Sequence, residues 1–438
     1  MTAVAIAIVL GALTAGPYEA TWESIDSRPN PEWFEDAKFG IFIHWGVYSV
    51  PSWAPKDAYA EWYWSHMMNK EGETWKFHQE TYGEDFQYQD FAPMFTAELY
   101  DPAQWASIFK QSGAKYVVLT SKHHEGFPLW PNPQAWNWNA MDIGPHRDLI
   151  GDLVEAVRAE ELRMGFYYSL YEWFNPLYKE DVNQYVDQYM LPQLKDLVQR
   201  YKPDVVWPDG EWDHPSSTWR STEFLAWLFN ESDAPKDVVV NDRWGKETRN
   251  VHGGFATPEY GHLPEGRLTN AGLFEECQGM GRSFGYNRNE NVESYRSAGE
   301  LLRLLIDNVS RGGNLLLDIG PTADGRIPVI MQQRLVDMGK WLEVNGEAIY
   351  GADAWEDAPA LDTVRFTKTG EAIYAICLSW PGEMLELAIP GEYQNASLLG
   401  HDGALSVERS GENLRIAIPQ LGPDKIPCQH AWVVKLTP

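Results

Sequence analysis

The stretch from Tyr201 to Asp213, YKPDVVWPDGEWD, puts a carboxylate where a strand should end. Val205-Val206-Trp207 is launched by Lys202-Pro203 and stopped by Pro208-Asp209-Gly210, the length and punctuation of a buried strand running into a polar turn. In barrels of alternating strands and helices, residues at the carboxyl ends of the strands carry the chemistry. Asp209 is therefore a candidate catalytic acid, and equally a candidate for nothing more than an Asx turn with Gly210. Glycoside cleavage needs two carboxyl groups, roughly 5 to 5.5 Å apart when one is the nucleophile and further apart when a water must fit between them. Partners for Asp209 are available in Glu259, Glu275 and Glu276, in or just after a segment from Lys246 to Gly272 rich in Gly, Pro and polar residues. Glu211, two positions on, reads as a structural or rim carboxylate.

Histidines also fall at strand ends. His44 follows Phe39-Gly40-Ile41-Phe42-Ile43, and His123-His124 follow Tyr116-Val117-Val118-Leu119-Thr120. Adjacent side chains on a strand point to opposite faces, so His123 and His124 share a metal ion only if the backbone turns there. With no HExxH and no CxxC, these histidines are better suited to donate hydrogen bonds to substrate hydroxyls than to hold a metal. Gly281-Arg282-Ser283-Phe284-Gly285 has the GxSxG spelling of a nucleophile elbow, but a polar stretch follows it where that motif requires a helix. Gly312-Gly313-Asn314 precedes a strand instead of opening a helix, so it is no phosphate cradle.

The elements that must position these groups alternate. Strands are expected at 39–43, 116–120, 164–169, 205–207, 238–240, 273–275 and 315–319. Helices are expected at 101–111, where Asp101 caps and Pro102 takes the first position, and at 149–161, 181–200, 222–230, 298–310 and 329–344. This is the grammar of a parallel sheet closed into a (β/α)8-like barrel, with Lys246 to Gly272 as a long loop. Past Gly346 short alternating strands separated by turns read as an antiparallel β-sandwich. The expected division is a signal-like segment at 1–20, a barrel at 21–348 and a sandwich at 349–438.

Composition narrows the function. A formal charge of −28 over 438 residues argues against nucleic acid or anionic membrane as partner, since phosphate binding needs clustered Lys and Arg. The 21 Trp and 21 Tyr offer flat apolar faces with polar rims, which suit sugar rings. Cys277, Cys377 and Cys428 are odd in number and widely spaced, so they make no disulfide framework. The opening TAVAIAIVLGALTAG resembles a secretory signal without its basic start, so an exported protein, periplasmic, extracellular or in a lysosome-like compartment, is expected. No stretch is long enough to span a bilayer.

Six ordered motifs, FGIFIHWG (39–46), KHHEGF (122–127), WPDGEW (207–212), NDRWG (241–245), SFGYN (283–287) and GGNLLL (312–317), together resemble the α-L-fucosidase family, glycoside hydrolase family 29. The resemblance runs from Trp33 to Leu436. It implies an exo-acting retaining glycosidase with no metal or organic cofactor, acting on fucosylated oligosaccharides or glycoconjugates by double displacement. Carried over motif by motif, it makes Asp209 the nucleophile and has His44, Glu61, Trp62, His123, His124, Tyr167 and Arg243 hold the sugar. Trp62 and Trp207 would pack on the ring or its methyl group. The acid/base falls on Glu259 in Pro-Glu-Tyr, with Glu275 in Phe-Glu-Glu-Cys as the alternative. Two other classes fit the residues less well: a non-catalytic carbohydrate-binding protein and a metal-dependent hydrolase.

Overall fold

The computed structural model describes residues 17–260 and 272–438. The signal-like segment therefore lies, up to residue 16, outside the described residues, as does 261–271 of the long segment. Seven parallel strands form one curled sheet: β1 (Phe39–Ile43), β2 (Tyr116–Lys122), β3 (Arg163–Ser169), β4 (Val205–Asp209), β5 (Val239–Val240), β6 (Glu275–Gly279) and β7 (Asn314–Ile319), in the order β5-β4-β3-β2-β1-β7-β6. Apart from Arg163, every residue in them is buried. Strands covered on both faces need apolar side chains in both directions, which is why they read as continuous runs. The period of two then sorts the side chains. Phe42, Tyr116, Val118, Tyr167, Val205, Trp207 and Leu316 pack together inside the curl, while Ile41, Ile43, Val117, Leu119, Phe166, Val206 and Leu317 join the helices outside.

β5 and β6 are the edges of the sheet, and the chain between them closes it. Asn241 bridges Phe255, Ala256 bridges Phe274 and Glu259 bridges Cys277, all in parallel sense. Ala256 N–H donates to the Leu273 carbonyl at 3.1 Å and Glu275 N–H to the Ala256 carbonyl at 2.8 Å. The stretch 255–259, expected to be loop, is thus the eighth stave of the barrel. Its regularity is broken by Pro258, which has no N–H to give a ladder, and by Gly253 at φ +100° just before it. Both features made it look like loop.

The helices hold with one correction. Asp101 accepts from Gln104 N–H at 3.0 Å and caps Pro102–Gln111 as expected. The long helix expected over 181–200 is instead Val182–Tyr185, a π-turn at Val186–Met190 and Leu191–Tyr201. Pro192 cannot donate to the preceding turn, and the ladder loosens just ahead of it.

The last part of the chain carries β8 (Asp353–Ala354), β9 (Val364–Thr369), β10 (Ala372–Cys377), β11 (Met384–Ala388), β12 (Asn395–Leu398), β13 (Ala404–Leu405), β14 (Val407–Ser410), β15 (Asn413–Ala417) and β16 (Trp432–Thr437). They form an antiparallel six-stranded sheet, β13-β12-β16-β10-β9-β8, and a three-stranded one, β11-β15-β14. Ile373, Ala375, Val434 and Leu436 of the first meet Leu385, Leu387, Leu414 and Ile416 of the second, as facing layers of a sandwich do. Tyr374, Ile376 and Val433, on the outer face of the larger sheet, join the barrel's helical core. Trp341 Nε1 seals that seam by donating to the Ala431 carbonyl at 2.9 Å.

Candidate active site

At the carboxyl ends of the strands lies a cavity of about 140 Å³. Every residue proposed for the site lines it except Glu275 and Glu276: His44, Glu61, Trp62, His123, His124, Tyr167, Trp207, Asp209, Arg243 and Glu259. Alternation explains most of this. Phe42 and His44, Tyr167 and Ser169, and Trp207 and Asp209 are pairs two residues apart, so an inward apolar residue is followed by an inward polar one at the strand end.

Asp209 is the last residue of β4 and is buried. Neither of its oxygens serves a turn. Oδ1 accepts from Arg243 Nη1 at 2.6 Å and Oδ2 from the Tyr167 hydroxyl at 2.9 Å. Gly210 follows at φ +74°, and a Cβ there would stand 2.5 Å from Tyr171 Cβ, so only glycine lets the chain leave β4 this way. Burial pushes the Asp209 carboxyl up, but the Arg243 guanidinium, with Arg249 at 3.8 Å, overcomes it and holds the group well below the usual carboxylate range.

Arg243 joins the two candidate acids. Its Nη2 donates to Glu259 Oε1 at 2.5 Å while Nη1 serves Asp209, and its Nε donates to Thr257 Oγ1 at 2.8 Å. The guanidinium lies over the Trp207 ring, 4.4 Å from the centroid. Such a fork is planar and rigid, so two carboxyl groups on its two ends are fixed relative to one another. Thr257 and Glu259 are two residues apart on the irregular eighth stave and face inward together. In the sequence Thr257 is signalled only by that spacing.

The histidines occupy the opposite wall. The strand ends at Lys122, and the chain turns so that Gly126 N–H reaches the His123 carbonyl at 3.0 Å. His123 and His124 therefore do not point to opposite faces. Both line the cavity, with ring centroids 4.1 Å apart. His44 Nδ1 pairs with Asp318 Oδ1 at 2.6 Å, and burial keeps the imidazole neutral by lowering its pKa well below normal. Burial likewise lowers the pKa of His124. Glu61 is buried, and its Oε2 accepts from Gly285 N–H at 2.8 Å, while Ser283 Oγ, 3.2 Å from that oxygen, donates to the Gly285 carbonyl at 2.7 Å. Ser283, the serine of the GxSxG spelling, is thus occupied in the turn that presents Gly285 N–H to Glu61.

Glu275 stands one layer deeper. It is fully buried in β6, with Oε1 accepting from Trp207 Nε1 at 2.9 Å and Oε2 from the Tyr116 hydroxyl. Burial pushes its pKa up to about 7. Glu211 is also buried, held by Arg249 Nε at 2.6 Å. Tyr59, Phe42, Phe284, Cys277 and Trp212 complete the cavity lining. Of these, the sequence signalled Phe42 and Cys277 only by their inward register beside His44 and Glu275.

A family model described as Alpha-L-fucosidase matches residues 6–347, and one described as Alpha-L-fucosidase C-terminal domain matches 359–437. The chain is 44% identical to the tissue alpha-L-fucosidase of Bos taurus, with 99% of this chain and 96% of that protein covered. It is also 44% identical to the Homo sapiens tissue alpha-L-fucosidase, over 96% and 92% of the two chains. Among solved structures, the Thermotoga maritima alpha-fucosidase in complex with a mechanism-based inhibitor superposes with a TM-score of 0.84 at 40% identity, covering 96% of this chain and 100% of that one. The same enzyme in complex with fucose gives 0.83 at 39%.

Proposed function

Because the chain belongs to the α-L-fucosidase family, we propose that Asp209 and Glu259 are the nucleophile and the acid/base of its reaction. The protein is a glycoside hydrolase that cleaves α-L-fucosides with retention of configuration. Retention requires two inversions at the anomeric carbon, hence a carboxylate that bonds to the sugar and a second carboxyl group that first protonates the leaving oxygen and then deprotonates water.

The observation that carries the assignment is the single guanidinium of Arg243 contacting both carboxyl groups in one cavity. Asp209 is the group kept ionised, as a nucleophile must be, and it sits on the rigid end of β4. Glu259 is partly exposed, with 33% side-chain accessibility, on the side where a leaving group meets solvent. When the sugar carbon bonds to Asp209 its charge disappears, and Glu259, having given its proton to the leaving oxygen, is the carboxylate left to deprotonate water. Around them, His44, Glu61, His123, His124 and Tyr167 read the hydroxyl pattern, and Trp62 and Trp207 supply apolar faces.

The substrate read from this is a terminal α-L-fucoside on an oligosaccharide or glycoconjugate. The division into a catalytic barrel at 21–348 and a sandwich at 349–438 is supported by the change from one parallel sheet to two antiparallel ones and by the two matched regions. Export is supported by the apolar N-terminal segment, and no helix among the described residues is long and apolar enough to cross a membrane. A 2-deoxy-2-fluoro-α-L-fucosyl fluoride should trap the glycosyl-enzyme, and peptide mapping should find the label on Asp209. A label on Glu211 or on another carboxylate would overturn the assignment.

A further inference from the structure

Ser169 ends β3 beside the cavity, fully buried, and its hydroxyl makes two short contacts: to the Tyr171 carbonyl at 2.6 Å and to His124 Nδ1 at 2.6 Å. A serine has one proton to give. Two oxygens 2.6 Å apart need a proton between them, a carbonyl has none, and so the proton of Ser169 is committed to Tyr171. Toward His124 the serine oxygen can then only accept, and the proton in that contact must belong to Nδ1. We infer that Ser169 is a positioning residue that fixes His124 as its Nδ1–H tautomer, so that His124 meets the substrate with Nε2 as a hydrogen-bond acceptor.

The direction matters because Nε2 is the atom that faces the reaction, 3.8 Å from Asp209 Oδ2. The ring cannot turn away. Trp62, Trp173, Trp212 and Tyr171 wall it in, with centroid separations of 5.1, 5.4, 5.4 and 5.5 Å. Burial, with His123, His44 and Lys122 nearby, outweighs the pull of Asp209 and lowers the ring's pKa well below normal. Asp209 Oδ2 is itself an acceptor, already taking the Tyr167 proton. Nε2 and Oδ2 therefore leave a gap between two lone pairs, which a hydroxyl donor fills and a carbonyl or ether oxygen does not.

Resting on the assignment of Asp209 as nucleophile, this identifies the group recognised. The anomeric carbon under attack has two ring neighbours, the ring oxygen and C2, so the hydroxyl nearest the nucleophile is that on C2. That hydroxyl donates to His124 Nε2. His124 thus reads a hydroxyl as an acceptor, where the sequence suggested only donors. Hydrogen bonds at this hydroxyl strengthen as the sugar takes on positive charge, because the hydroxyl becomes a better donor.

Two measurements test this, the first on the unaltered enzyme. With ¹⁵N-labelled histidine, and His124 assigned by its loss in His124→Gln, the ring should show a protonated Nδ1 and a bare Nε2 at pH 7. An Nε2–H tautomer or an imidazolium would overturn the inference. The second compares an aryl α-L-fucoside with its 2-deoxy analogue in wild type and Ser169→Ala. Releasing the tautomer should lower kcat/KM about tenfold on the fucoside, the scale of one hydrogen bond, and leave the 2-deoxy substrate nearly unchanged. Equal loss on both substrates would make Ser169 merely structural. No turnover of either substrate by the wild type would instead count against the catalytic assignment and leave the tautomer measurement standing.

Discussion

Two buried carboxyl groups one layer apart in the same barrel have opposite fates. Asp209, at the mouth, is almost fully enclosed yet ionised, because Arg243 faces one of its oxygens and the Tyr167 hydroxyl the other. Glu275, in the layer below, is equally enclosed, but its partners are the Tyr116 hydroxyl and the Trp207 indole, neutral donors that cannot offset the loss of water. Trp207 links the two layers, with its N–H on Glu275 and its face under Arg243. Burial alone raises a carboxyl pKa, and what reverses it is a full positive charge within hydrogen-bond distance. The mouth of the barrel is where the fold supplies that charge, and the layer beneath is where it withholds it.

The comparison breaks most sharply at Asp209. Asp209→Ala should cost on the order of 10⁴-fold in kcat, as removal of a catalytic group does elsewhere. Turnover of an activated aryl α-L-fucoside at the wild-type rate would show that the mouth carboxylate is not the nucleophile.

Next in size is the contrast between Glu259 and Glu275. Glu259→Ala should lose roughly 10² to 10³-fold on poor leaving groups and much less on activated ones, with azide restoring turnover. Glu275→Ala should show neither the leaving-group dependence nor the rescue. The reverse pattern would move the acid/base role one layer down.

Arg243→Gln tests the source of the charge. Without the guanidinium the Asp209 pKa rises, so the ionised fraction is lost earlier on acidification and the acid limb of kcat/KM moves to higher pH. A pH profile that keeps its acid limb while kcat falls would assign Arg243 to sugar binding alone.

The smallest effect on activity is expected for Glu275→Gln, within a few-fold of wild type. Its readout is stability. The folded pKa of about 7 lies above the unfolded reference of 4.5, so the proton is bound more tightly in the native state. Its contribution is complete below pH 4.5 and is lost as pH rises through 7, about 3 kcal/mol in all. The amide cannot ionise, so thermal denaturation of Glu275→Gln should lose this fall in stability between pH 4.5 and 7. An unchanged slope would mean that Glu275 is charged in the folded protein.

The sequence made the strands legible because burial on both faces demands unbroken apolar runs, and β1 was expected over the residues it occupies. It made Asp209 and His44 legible because each follows such a run, whereas Arg243 entered only through the resemblance carried by its NDRWG motif. It hid the eighth stave, since the Gly and Pro that mark loops also mark an irregular edge strand. It left open whether His123 and His124 share a face, because alternation ends with the strand at Lys122 and only the turn that follows decides it. It kept Glu275 as the alternative to Glu259, since nothing local tells an inward residue at the start of a strand from one at a strand's open end.

The amino-acid sequence by itself determined which residues are apolar in which rhythm, and so the barrel, the sandwich and the strand-end candidates. Its motifs were enough to identify the family. Tertiary structure alone decided which carboxyl group is charged, which faces the cavity and which proton His124 keeps. Those properties depend on groups brought together from 34 positions away, between Arg243 and Asp209, or 45, between Ser169 and His124. Local pattern fixes which way a side chain points along its own strand, but the electrostatic field at an atom is set by whatever the closed barrel places beside it.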